Sequence, residues 1–105
     1  MLDLPFQAKM TDRLAAMLRG IAGREQRADP DVLPSIVWEH FTTGPRTGTW
    51  NWMLQSFSRK FMRSEDVLNV SDISFHLPCD DRHRLTGCVL DWREPDGLIA
   101  YEDGT

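Results

Sequence analysis

The sequence predicts an α+β fold, with three N-terminal helices packed on a C-terminal three-stranded antiparallel meander. Three observations carry this expectation. Through residues 5–63 apolar side chains recur at steps of three and four. From residue 70 the apolar period shortens to two. Near the end, Glu94-Pro95-Asp96-Gly97 has the composition of a hairpin turn, because proline pre-sets one torsion and glycine accepts a positive one. At 105 residues the chain is expected to form a single globular domain, helical over about 5–63 and strand-forming over about 70–101.

The first helix is predicted over residues 5–22. Pro5 suits a first turn, and Phe6, Met10, Leu14, Met17, Leu18 and Ile21 form the stripe. Gly23 is the expected stop. A second helix is expected from Asp29 as cap and Pro30 in first position, with Leu33, Ile36, Val37, His40 and Phe41 inward and Trp38 toward the outside. Residues 42–49 (TTGPRTGT) are the clearest loop.

The third helix, residues 47–63, is the centre of the predicted architecture. It holds two Trp, two Phe, two Met and one Leu, with Arg59, Lys60 and Arg63 and no acid. Trp50, Met53, Leu54, Phe57 and Phe61 fall on one helical stripe, expected to fill the core. Trp52, Ser56, Arg59 and Arg63 fall on a second strip, expected to be more exposed. Beyond it, Ser71, Ile73, Phe75 and Leu77 read as the inward set of a first strand. A second strand is predicted over 84–93, with Thr86, Cys88, Leu90 and Trp92 inward, and a third over 98–101.

Composition limits the function classes. Apolar residues make up 41% and charged residues 27%, the balance of an ordinary globular chain rather than a disordered one. The net charge of -4 is unevenly placed. Residues 1–69 carry nine bases and eight acids (+1); residues 70–105 carry three bases and eight acids (-5). Such a balance disfavours bulk binding to nucleic acid and suits a partner with a basic surface. Two cysteines are too few for a disulfide framework, and the first ten residues lack the layout of a secretory signal. A cytoplasmic location with reduced thiols is expected.

Several constellations bear on chemistry. Arg46, Trp52, Arg59 and Arg63, with Trp38 nearby, combine the residue types that anchor protein interfaces. His76, Cys79, His83 and Cys88 are zinc-ligand types, but the strand assignment points His76 and Cys88 to different faces. No metal or other cofactor is therefore expected. No G-x-S-x-G elbow, H-E-x-x-H, C-x-x-C, P-loop or dinucleotide fingerprint occurs, and no catalytic residue is assigned. The sequence thus points to a small acidic, non-catalytic interaction protein (an accessory subunit, regulator or inhibitor) that binds a protein partner, with self-association through its aromatic surface. Two other readings compete. One is a nucleic-acid-binding module using Arg46, Trp52, Lys60 and Arg63; the other is a small enzyme with His40 or His83 beside the Thr/Gly/Arg loop.

Overall fold

The computed structural model describes residues 1–104 and shows a mostly β architecture, with one α-helix and eight strands in two mixed sheets. In chain order these are β1 (Leu2–Leu4), β2 (Ala8–Met10), α1 (Asp12–Ala28), β3 (Val32–His40), β4 (Trp50–Ser58), β5 (Val67–Val70), β6 (Ile73–His76), β7 (Cys88–Arg93) and β8 (Gly97–Glu102). One sheet has the order β1-β2-β7-β8, the other β4-β3-β6-β5. Each contains one parallel pairing, β2 with β7 and β3 with β6. The three-helix expectation and the C-terminal meander are both overturned: β6 and β7 lie in different sheets.

The single helix begins later and runs longer than its apolar stripe suggests. Thr11 has extended backbone angles and its hydroxyl accepts the Leu14 N–H at 3.3 Å, so the helix is capped there rather than at Pro5. Met10 is instead a strand residue opposite Leu90. Gly20 and Gly23 do not end the helix; Asp29 does, its N–H bonding to the Glu25 carbonyl. Asp29, expected to start a helix, thus closes one, and its carboxylate also receives the Asp31 N–H.

The predicted second and third helices are the two arms of a nine-residue hairpin, β3 paired antiparallel to β4 from Val32↔Ser58 to His40↔Trp50. Residues 33–37 of β3 are all buried, so both strand faces are covered and the segment reads as a continuous apolar run without alternation. Such a run also matches a helical stripe; β-branched Ile36 and Val37 beside Trp38 favour the strand. Residues 42–49, expected to enter a helix, are the connection of this hairpin, with Gly44 and Gly48 at positive φ. The predicted strand over 70–77 is broken at Ser71, whose φ is 56°, into β5 and β6. Residues 79–85, expected to be a polar turn and the start of a strand, form a 3-10 segment. The final hairpin, β7 with β8, turns near the expected place, with Gly97 at φ 84°.

The core is one cluster drawn from both sheets and the helix. It joins Leu14, Ala15 and Leu18 of α1 to Met10, Leu90 and Leu98 of one sheet and Ile36, Trp52 and Phe75 of the other. No helix is long and apolar enough to cross a membrane.

Candidate interaction edge

The feature that most needs explanation is the placement of large apolar side chains on β4 and just after it. Trp50 is 59% exposed, Phe57 43% and Phe61 88%, whereas Trp52 is only 3% exposed. This reverses the expectation. Trp50, Phe57 and Phe61 were to fill the core, and Trp52 was to be the exposed anchor. A strand alternates sides with period two, so Trp52 and Leu54 share the face of core residue Ile36. Trp52 stacks edge-on against Trp38, its direct cross-strand neighbour, at a centroid distance of 5.2 Å. Trp50 lies on the same face but at the loop end of the hairpin. There it meets His40 edge-on at 5.6 Å and lines a cleft of about 360 Å³ with Trp38 and Arg84.

β4 is also an edge strand, and its backbone polarity can be assigned. The Trp52 N–H is received at 3.1 Å by the Asn51 side chain rather than by β3. Ser56 stands opposite Pro34, which has no N–H to exchange with it. Both observations turn the backbone groups of even-numbered residues of β4 away from β3. At Leu54 and Ser56 these groups have no backbone partner among the described residues. At nine residues, β4 is longer than the other edge strands β1, β5 and β8.

The other residues singled out in the sequence are dispersed. Arg46 donates to the carbonyls of Leu98 (3.0 Å) and Asp96 (2.8 Å) and lies over the Phe41 ring, tying the β3–β4 connection to the β7–β8 hairpin. Arg63 is held by Asp66, with Glu65 at 3.7 Å. Lys60 lies 3.5 Å from Asp31. Trp38 is half-buried under Arg84. Arg59 is exposed and its side chain has no recorded partner among the described residues. Arg46, Trp52, Arg59, Arg63 and Trp38 therefore do not form one exposed strip.

The zinc-type residues are likewise not gathered: no group of three or more potential metal-binding His, Cys, Asp or Glu side chains occurs among the described residues. Cys79 donates its thiol to the Glu65 carbonyl at 3.1 Å. Burial first, and the hydrogen bond with Asp66 second, push that thiol above its usual pKa, away from the nucleophilic thiolate. His40 and His83 are both exposed and lie in different elements, β3 and the 3-10 segment 79–85.

Sequence reasoning missed a Ser–His pair. Ser35 Oγ is hydrogen-bonded to His76 Nδ1, its partner in the parallel β3–β6 pairing. Burial lowers the His76 pKa, with Asp66 opposing the shift and Arg82 adding to it. Ser35 is 0% exposed, so its hydroxyl satisfies the part-buried His76 ring nitrogen and presents no nucleophile to solvent. Forty-one residues separate the two in sequence, and no local signal links them.

We find no match to any family model, to a curated protein or to a solved structure.

Proposed function

We propose that this chain is a small non-catalytic interaction protein (an accessory subunit, regulator or inhibitor) that docks on a protein partner through β4 and the residues just after it. The observation that carries this reading is the exposure of Trp50 and Phe57 on edge strand β4 and of Phe61 in the 3-10 turn (Arg59–Phe61) that follows it. Folding leaves few bulky aromatics in water without a use, and an edge strand with free backbone groups is a template for strand addition. Aromatic side chains supply contact area, and the free N–H and C=O groups supply register. The reading includes a cytoplasmic setting, consistent with two unpaired cysteines.

The nucleic-acid reading has less behind it. Of its four residues, Arg46 and Arg63 are spent on internal hydrogen bonds, Lys60 faces Asp31, and Trp52 is buried.

Photo-crosslinking in native cells tests the proposal. A benzophenone amino acid at position 57 or 61 is expected to yield discrete protein adducts, and the same probe at exposed Arg24 on α1 is expected to yield none. Equal, background-level labelling at all three positions would remove the proposed surface.

A further inference from the structure

We infer that the partner on this edge is a second copy of the chain, paired antiparallel β4 to β4 about a two-fold axis at Gln55. This rests on the interaction reading above and names its occupant.

The backbone fixes the parity of the register, and the side chains choose the axis. Even-numbered residues of β4 carry the outward groups, so hydrogen-bonded pairs across a new interface must match even with even. A two-fold axis at Gln55 does this, setting Leu54 of each copy opposite Ser56 of the other. That register also organises the side chains. Phe57 of one copy falls opposite Met53 of the other, on the same face as Gln55, so two Phe–Met pairs flank the axis. Phe57, exposed in the single copy, is thereby covered on both sides of the axis.

Charge complementarity selects a second copy over an unrelated strand. Arg59 directly follows β4, and in this register it stands opposite Asn51 of the other copy. Asn51 pairs with Glu39 on β3. Arg59 of one copy is thus two strand spacings, roughly 9.5 Å, from Glu39 of the other, a gap the two side chains together span. Both are exposed, and neither has a recorded side-chain partner among the described residues. Within one copy they sit at opposite ends of the hairpin, about 27 Å apart at ~3.4 Å per residue, and do not meet. The symmetry repeats this ion pair on both sides of the axis.

Sedimentation equilibrium of the full chain over a range of concentrations tests the inference, with circular dichroism reporting the fold of every variant. The wild type is expected to approach twice its monomer mass as concentration rises, more so at low salt. Arg59→Glu and Glu39→Arg are each expected to weaken association by about 10-fold or more. The double variant Arg59→Glu/Glu39→Arg is expected to recover it, which an effect within one copy cannot produce at that separation. Ser56→Pro, which removes an outward N–H and leaves β3 its bonds, is expected to abolish it. A wild type that stays monomeric, a double reversal without recovery, or a dimer indifferent to Ser56→Pro overturns the inference. Adducts with a different protein at positions 57 and 61, alongside a monomeric wild type, would leave the interaction reading standing and the self-pairing refuted.

Discussion

Asp66 shows how a buried acid is kept charged in this molecule. Its carboxylate accepts from Arg63 and from the Cys79 N–H at 2.9 Å, while its carbonyl accepts from the Leu77 N–H at 2.8 Å. The Arg63 hydrogen bonds lower its pKa to about 2, against the opposing effect of burial. The folded value lies below the unfolded 3.8, so the contribution is fully present above that value and is lost as pH falls toward 2. The side chain is only 8% exposed, and the shift corresponds to about 2 kcal/mol. Urea unfolding from neutral pH downward is expected to show the advantage of wild type over Asp66→Asn shrinking through this window. A constant difference at every pH would rule out the charge as its source. His76 acts at milder acidity. Its lowered pKa favours the neutral ring bonded to Ser35, so its contribution is lost as pH falls below 6.5. None of this was visible in the sequence, where Ser35 fell inside a predicted helix and nothing linked Asp66 to Cys79 or His76 to Ser35.

At the scale of elements, β4 decides both the fold and the candidate surface. Trp50, Met53, Leu54, Phe57 and Phe61 fit a helical stripe, but Trp50, Trp52 and Leu54 also fit one face of a strand. Pairing with β3 selects the second pattern and moves Trp52 into the core. Trp52→Ala is therefore expected to cost about 3–5 kcal/mol in denaturant unfolding, and Trp50→Ala less than about 1 kcal/mol. Comparable costs at the two positions would contradict the strand orientation. The helix boundaries were misread for a similar local reason. Pro5 and Gly23 are generic punctuation, whereas Thr11 gains its capping role in a structure where it also bonds Asp91 of β7 at 2.6 Å. The aromatic and basic composition of residues 47–63 did mark the segment that holds the candidate site. The residues within it that face solvent were assigned to the wrong side.

Across the whole molecule, Arg46 is a long-range polar tie between the two sheets. It reaches from the β3–β4 connection to two carbonyls of the β7–β8 hairpin, about fifty residues away in sequence. Arg46→Ala is expected to lower stability by about 1–3 kcal/mol. It should also speed amide exchange at residues 96–98 more than in α1. Unchanged exchange there would show that the hairpins are held together by apolar packing alone. From sequence Arg46 read as an exposed anchor, because its carbonyl partners are backbone groups that leave no trace in residue identity.

Taken alone, the sequence determined the amount of apolar surface, the uneven charge, the turn at Glu94–Gly97 and three of the four residues of the first strand's inward set, Ile73, Phe75 and Leu77, the fourth, Ser71, being exposed. These depend on composition or on neighbours within a few residues. Only the tertiary structure decided that β3 and β4 are strands, that β2 pairs with β7 and β3 with β6, and that Trp50, Phe57 and Phe61 remain in water. The reason is that a strand completes its hydrogen bonds with a distant segment, whereas a helix completes them with itself. An apolar run of ambiguous period therefore takes its conformation from its partner.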